Sequence, residues 1–233
     1  MAQKNRLLFS LLIVLLLGAL IALLSPGNFL TGWIGSALLL FLSVFGLLSA
    51  WKWAGGGKVL AWMVALAFVL RLGSGIALGQ LLPAYGFDEL RSKEGYVFED
   101  SYNRDHQAWD LAISEQPILS GFQQDFVSDQ YGGLLTLSAF LYRFLSPDAH
   151  RPYLILILTA FVTAAGLPFL WIALLGRWNL RVAAVACGFY TFYPESILLG
   201  ASQMREPFII GLGAIAFWAA VDQTAKRRMR LGV

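Results

Sequence analysis

The sequence predicts an all-α, polytopic membrane protein with about six transmembrane helices and an extracytoplasmic loop that carries amphipathic and juxtamembrane helices. Three observations predict this class. Hydrophobic residues make up 58% of the 233 residues, the mean hydropathy is +0.66, and only 13% of residues are charged, whereas soluble domains carry about 25%. Several apolar runs are long enough for a bilayer, which needs about 20 residues. Lysines and arginines cluster at the ends of those runs, as the positive-inside bias predicts.

Residues 1–58 form the first predicted region, with two transmembrane helices. Residues 7–24 are an apolar run behind two basic residues. This run is longer than the apolar part of a signal peptide, about 7–15 residues, so we expect an anchor helix that runs outward. Residues 29–51 form the second span, and the segment WKWAGGGK after it has the lysines and tryptophans of a cytoplasmic interface.

Residues 59–233 form the second predicted region, which opens with a third span at 59–82. Arg71 lies within this span, towards its predicted outer end. An ionisable residue inside a span is costly and usually has a partner or a water-filled cavity. The alternative is that the side chain snorkels to the headgroups.

Residues 83–130 form a predicted outer loop in which acidic residues are concentrated. The loop has ten acidic and three basic residues, and loops of this length are usually functional or disordered. Within it, residues 101–116 have an apolar helical face, and Asp100 or Ser101 would cap the start of that helix. Asp105, Trp109 and Ala112 would share one face.

Residues 131–145 are apolar but too short for an ordinary span, which favours an interfacial or re-entrant juxtamembrane helix on the outer side. If they were a span, the basic segments RWNLR and KRRMR would move outside, against the positive-inside rule. Three more spans follow, at 152–175, 182–202 and 208–221, and the chain ends in a basic cytoplasmic tail. Both termini are therefore expected in the cytoplasm. The pI of about 9.1 reflects these basic helix ends and does not indicate a nucleic-acid partner.

The outer carboxylates favour group transfer. Glu206 follows the fifth span next to Arg205, so acids from two outer elements can converge over one cavity. One carboxylate can accept a proton from an acceptor hydroxyl or orient a metal ion. Cations such as Arg71 and Arg205 suit a phosphate through charge-assisted hydrogen bonds.

The order of these parts resembles membrane glycosyltransferases of the GT-C superfamily, which include protein O-mannosyltransferases, aminoarabinose transferases and the catalytic subunits of oligosaccharyltransferases. An arginine-bearing helix leads into an outer loop with RDHQAWDLA and, just upstream, EDS. The segments that follow are DQYGGLLTLSAFLYRFL, HRPYLILI, GRWNLR, VAAVACGFYTFYPESILLGAS and QMREPF. The resemblance covers roughly residues 59–221.

The resemblance implies a polyprenyl-phosphate-sugar donor, a lipid, glycan or protein acceptor, and an inverting transfer on the outer face of the cytoplasmic (inner) membrane. Asp105 or Asp100 would be the loop acid, as base or acceptor orienter, and Glu206 would be the second acid. The substrate-binding residues that it implies are Arg71, Arg104, Arg205, Trp109 and Tyr131. No metal ligand is predicted, although the resemblance leaves a divalent metal open as a cofactor.

Two departures from the family pattern keep alternatives open. Two spans precede the arginine-bearing helix, and the chain stops soon after Glu206, so we expect either a short enzyme or the N-terminal part of one. One alternative is a non-catalytic subunit of a split transferase. The other is a transporter-like subunit in which Arg71 pairs with Glu195. The two histidines, His106 and His150, match no metal-binding spacing.

Overall fold

The computed structural model describes residues 2–123 and 132–231, with side chains described for 11–123 and 132–221. All regular secondary structure in these residues is helical, which confirms the predicted all-α class. In chain order the helices are α1 (Ala2–Leu23), α2 (Phe29–Trp53), α3 (Lys58–Tyr85), α4 (Leu90–Lys93), α5 (Glu99–Ile113), α6 (Gly133–Leu145), α7 (Tyr153–Arg177), α8 (Leu180–Phe192), α9 (Pro194–Gly200) and α10 (Glu206–Leu231), and a 3₁₀ turn spans Ile118–Phe122.

Three of these helices, α2, α3 and α7, are long and apolar enough to cross a membrane. The pair α8 and α9 becomes a fourth candidate if it is counted as one span with a 51° bend. The described parts of α1 and α10, Leu11–Leu23 and Glu206–Val221, are shorter apolar helices, as is α6. The chain therefore has the helices of an integral membrane protein, while the count of six spans stays a prediction.

The chain divides into two compact units, and α2, α3 and α7 each contribute to both. The first unit comprises Met1–Ser43 and Ile76–Leu158, and the second comprises Val44–Gly75 and Thr159–Val233. In the first unit, α5 packs against α6, and both contact the 3₁₀ turn. Ala108, Leu111 and Ala112 form the buried face of α5, so the apolar stripe of the predicted loop helix is the surface that packs.

The ends of α5 differ from the sequence prediction of 101–116. The helix begins at Glu99 after Phe98, which makes no side-chain cap, so capping by Asp100 or Ser101 is wrong. Asp100 instead lies in the first turn, where a carboxylate interacts favourably with the helix dipole. The helix ends at Ile113, and Pro117 follows, a residue whose ring and missing N–H do not continue a helix.

Helix α3 also differs from its predicted end at residue 82, because it continues through Pro83 to Tyr85. Pro83 has no N–H, so the carbonyl of Gly79 loses its usual helical donor. The backbone of Gly95 crosses α3 at this point, and a Cβ added at Gly95 would lie 2.8 Å from that carbonyl oxygen. The acid-rich loop therefore begins after residue 85 and packs on α3 where the helix lacks one hydrogen bond.

In the second unit, α7 and α10 approach closely because a glycine lies at their contact. A Cβ added at Gly211 of α10 would lie 2.2 Å from the carbonyl oxygen of Val162 on α7. Small residues at such contacts allow the helix backbones of membrane proteins to pack closely. Gly213, on the same helix, has nothing within 4 Å of an added Cβ.

These two glycines make a matched test of the packing. We expect Gly211→Ala to lower the thermal unfolding temperature of the purified protein in detergent, because a methyl group cannot fit beside the Val162 carbonyl. Gly213→Ala should leave this temperature unchanged or raise it, because alanine is favoured over glycine within a helix by about 1 kcal/mol. Equal effects of the two substitutions would contradict the close approach of α7 and α10.

Candidate active site

A buried carboxylate, that of Asp105 on α5, lies among polar and aromatic side chains in the first unit, and its exposed fraction is 3%. Tyr142 donates its hydroxyl to Oδ1 over 2.6 Å, and Tyr96 donates its hydroxyl to Oδ2 over 2.6 Å. The Nε2 atom of His150 lies 2.9 Å from the same Oδ2. Donors from three separate chain segments therefore converge on one carboxylate.

The packing of α5 on α6 positions two of these donors. Arg143 on α6 donates to the carbonyls of Leu111, Ala112 and Ser114, which satisfies acceptors that the end of α5 leaves open. This contact fixes α6 against α5 and places Tyr142, the residue before Arg143, beside Asp105. Tyr96 is placed by the chain that packs on α3.

The turn between α6 and α7 positions His150. Arg151 is fully buried and donates to both carboxylate oxygens of Asp148, at 2.8 Å each. It also donates to Ser146 and to the carbonyl of Asn28. Because this network fixes the residue next to it, the imidazole of His150 is directed back towards α5.

Aromatic rings surround the imidazole of His150. The ring of Trp109 stacks on it at 5.5 Å between centroids with an interplanar angle of 22°. The rings of Tyr142 and His106 contact it edge to face, at 5.0 and 5.3 Å. The prediction that Asp105 and Trp109 share one face of α5 is confirmed, because both contact His150.

The charges of the site follow from these contacts. Burial raises the pKa of Asp105, but the charge of His150 and hydrogen bonds from His150, Tyr142 and Tyr96 outweigh burial and hold that pKa below its ordinary value. Burial and the neighbouring Asp105 carboxylate raise the pKa of both tyrosines well above the ordinary value. Asp105 is therefore ionised at neutral pH, and both phenols keep the protons that they donate.

A second carboxylate–imidazole pair lies beside the first. The Nε2 atom of His106 is 2.8 Å from Oε2 of Glu94, and its Nδ1 lies 2.9 Å from the carbonyl oxygen of Tyr102. A carbonyl only accepts, so Nδ1 donates the hydrogen of that contact, while Nε2 faces the Glu94 carboxylate. Both ring nitrogens of His106 therefore have partners, Glu94 and the carbonyl of Tyr102.

The other predicted residues of the first unit are placed differently. Asp100 is exposed on the first turn of α5, and Arg104 is buried on the same helix at 3% exposure. Tyr131 lies outside the described residues. The structure thus gives Asp105 three donors and leaves Asp100 on the surface, a difference that the sequence left open.

In the second unit, Arg71 lies at the break between α8 and α9. Its guanidinium is fully buried and donates to the carbonyl of Tyr190 at 3.0 Å and to the hydroxyl of Ser196 at 2.8 Å. Pro194 has no N–H to offer the Tyr190 carbonyl, so Arg71 supplies the donor that the helix lacks. Within the described residues Arg71 makes no ion pair with Glu195, although the sequence left that pairing open.

Glu206 lies in the first turn of α10, directly after the partly buried Arg205. Its Oε2 atom is buried and has no hydrogen-bond partner among the described residues. Glu206 lines a groove of about 270 Å³ with Glu195, Ser196 and Tyr193. Glu195 is exposed and accepts a hydrogen bond from the hydroxyl of Tyr193 at 3.0 Å.

A divalent metal ion does not fit the donors present. Among the described side chains, no group of three or more His, Cys, Asp or Glu residues is arranged to hold a metal ion. Both oxygens of Asp105 already accept hydrogen bonds from Tyr96, Tyr142 and His150.

Comparison with known proteins adds no family to this description: no family model, curated protein or solved structure matches the chain.

Sequence reasoning missed Tyr96, Tyr142 and His150 as parts of the site. His150 is separated from Asp105 by 45 residues, and no spacing rule connects residues across that distance. The available signal was the scarcity of histidine, since the chain has only two. His106 lies within the acidic loop and His150 directly after the helix that follows it, so their proximity was a testable expectation.

The pKa of Asp105 gives a prediction about acid stability. Because its pKa is lowered in the folded protein from an ordinary value of 3.8, its stabilising effect is present above that value and is lost as the pH falls through the folded value. Asp148 acts in the same direction, because hydrogen bonds from Arg151 lower its pKa. We expect the unfolding temperature to fall between about pH 5 and pH 2.

The substitution Asp105→Asn should reduce this acid-dependent loss, measured by thermal unfolding in detergent at a series of pH values. Asp110→Asn, at an exposed position of the same helix, is the control and should keep the wild-type dependence. An identical pH dependence in all three proteins would show that Asp105 is not held as a buried carboxylate.

The helix break gives a second prediction. We expect Arg71→Ala to destabilise the protein by about 1–3 kcal/mol for each buried acceptor that loses its donor. Arg181→Ala removes an exposed arginine of α8 and should change stability by less than about 0.5 kcal/mol. Chemical denaturation in mixed micelles measures both values, and equal stability of the two variants would contradict the role of Arg71 at the break.

Proposed function

We propose that this chain is a membrane glycosyltransferase, or the N-terminal part of one, that transfers a sugar from a polyprenyl-phosphate donor to an acceptor hydroxyl on the extracytoplasmic face. The observation that carries the proposal is the Asp105 carboxylate, held by three donors beside a partly exposed imidazole. It lies on an acid-rich segment between the candidate span α3 and the short apolar helix α6. A lipid-linked donor needs a polar site of this kind at the edge of a membrane.

The proposed topology follows from the basic residues. In it, α1, α2, α3, α7, the bent pair α8–α9 and α10 cross the cytoplasmic membrane as six spans. The basic segments WKWAGGGK, GRWNLR and KRRMR then lie on the cytoplasmic side, with both termini, and the acidic loop lies outside. Helix α6 lies at the outer interface, where its 13 residues are too few for a span.

The chemistry of the proposed reaction is a displacement at the anomeric carbon. The acceptor oxygen forms the new bond, the bond to the phosphate oxygen breaks, and polyprenyl phosphate leaves. Asp105 takes the orienting role of the two roles that the resemblance allows, because its oxygens already accept hydrogen bonds. Glu206 is the proposed second acid, and its buried, unpartnered oxygen is consistent with a polar ligand in the groove that it lines.

In this proposal, Arg71 is not the main phosphate-binding arginine. The four Nη hydrogens of Arg71 are directed at Ala67, Thr191, Tyr190 and Ser196. Arg71 therefore supports the groove around Ser196 and Glu206 and leaves little donor capacity for a phosphate. Arg205, which directly precedes α10, is the proposed phosphate-binding cation of the second unit, while Arg104, Trp109 and Tyr131 remain proposed substrate-binding residues.

A transporter-like subunit is the second candidate function, and the broken helix α8–α9 favours it. Discontinuous helices form the midplane sites of many transporters, where unwound carbonyls bind ions. Here Arg71 occupies the carbonyls at the break, which leaves them less able to bind a cation. We therefore rank the transporter-like subunit below the transferase. The remaining alternative, a subunit of a split transferase, predicts that a second membrane protein is needed for activity.

The decisive experiment measures release of polyprenyl phosphate from polyprenyl-phosphate-sugar donors by the purified chain in liposomes. We expect transfer by the wild-type protein and a decrease of about 10²-fold in Asp105→Asn, the size of effect that misplacing a reacting group produces. Asp110→Asn should retain the wild-type rate, and Asp100→Asn distinguishes the two loop acids. No transfer by the wild-type protein, alone or with co-purified membrane subunits, would contradict the proposed function.

A further inference from the structure

We infer that His150 is the proton-accepting group of this site and that Asp105 is a positioning residue for its imidazole. The inference rests on the proposed function for the reaction in which the proton moves. The hydrogen bond between His150 and Asp105 rests on geometry alone, so it is tested separately. Neither the sequence nor the resemblance assigns His150 a role.

The hydrogen bonds of Asp105 determine which nitrogen of His150 is the base. An ionised carboxylate only accepts hydrogen bonds, so the Nε2 atom, 2.9 Å from Oδ2, carries the proton. In the neutral form of the ring, the lone pair is then on Nδ1. Within the described part of the chain, Nδ1 makes no hydrogen bond. It is therefore available to accept a proton.

Exposure separates the roles of the two residues. The side chain of His150 is 19% exposed, whereas that of Asp105 is 3% exposed. An acceptor hydroxyl reaches the imidazole more readily than the carboxylate behind it. The carboxylate orients the ring and stabilises the imidazolium that forms, as in other bases that are oriented by an acid.

The rings around His150 hold its plane. Trp109 stacks on one face, while Tyr142 and His106 contact it edge to face. A base whose orientation is fixed before the substrate binds loses less freedom in the transition state. The titratable groups that face His150 are Asp105, Tyr142 and His106, with Tyr96 and Glu94 behind them. The nearby side chains of Asp148 and Arg151 pair with each other.

The proposed step balances without a co-reactant. As the acceptor oxygen attacks the anomeric carbon, its proton passes to Nδ1 of His150. The bond between the anomeric carbon and the phosphate oxygen breaks, and its electron pair leaves with polyprenyl phosphate. The imidazolium, paired with Asp105 through Nε2–H, then releases the proton to water.

The first test is nuclear magnetic resonance of the full-length protein in nanodiscs with ¹⁵N-labelled histidine, purified without a histidine tag. Since the chain has only two histidines, His106→Gln leaves His150 as the single signal. We expect the neutral ring to carry its proton on Nε2, and Asp105→Asn to change the tautomer ratio by about tenfold. A proton mainly on Nδ1, or a ratio unaffected by Asp105→Asn, would overturn the pairing.

The second test follows sugar transfer. His150→Gln should lower kcat by about 10²–10⁴-fold, the usual contribution of a general base, with little change in KM. Added imidazole should restore part of the activity of His150→Ala, and the recovery should increase with pH as the unprotonated form accumulates. His106→Gln removes the other imidazole without touching Asp105, so its kcat should fall far less.

The outcomes distinguish the inference from the function on which it rests. Transfer by the wild-type protein and by His150→Gln at equal rates overturns the role of His150 and leaves the proposed function intact. No transfer by the wild-type protein overturns the proposed function and this role in it, whatever the tautomer. Loss of transfer in His150→Gln, together with no rescue of His150→Ala by imidazole, assigns His150 a structural role and overturns the inference.

Discussion

The first unit depends on the need of one buried carboxylate for hydrogen-bond donors. A charge that leaves water without partners costs several kcal/mol, so Asp105 is compatible with burial only while its oxygens accept hydrogen bonds. Tyr96, Tyr142 and His150 supply those bonds from three segments that are distant in sequence. The packing of α5 on α6 brings Tyr142 to this carboxylate, and the position of the turn before α7 brings His150 to it.

The second unit has the reverse arrangement, in which a buried cation satisfies the acceptors of a broken helix. Pro194 has no N–H, so the carbonyl of Tyr190 at the break between α8 and α9 needs a hydrogen-bond donor from elsewhere. Arg71 supplies it and is fully buried in doing so. An arginine within a candidate span is commonly interpreted as a functional residue. Here the Nη groups of Arg71 donate to backbone carbonyls and to Ser196, so this side chain stabilises the fold.

Many of the helices could be predicted because the length of an apolar run is a local property of the sequence. Runs of apolar residues can be recognised without knowledge of the rest of the chain. They predicted the candidate spans α2, α3 and α7 and the short helix α6. Helix ends were predicted less well. Asp100 and Ser101 were expected to cap α5, but the helix starts before them, and α3 continues past Pro83 because its last turn loses only one hydrogen bond.

The sequence by itself determined the all-α membrane class, the acid-rich segment and the candidacy of Asp105, since these depend on composition and on helical periodicity. Tertiary structure decided which acid is surrounded by donors, because Asp100 and Asp105 lie on different faces of α5 and helix packing determines which face is buried. It also decided the partnership of Asp105 with Tyr142 and His150, and that of Arg71 with the Tyr190 carbonyl. Contacts between residues so far apart in the chain arise from helix packing, and no local pattern encodes them.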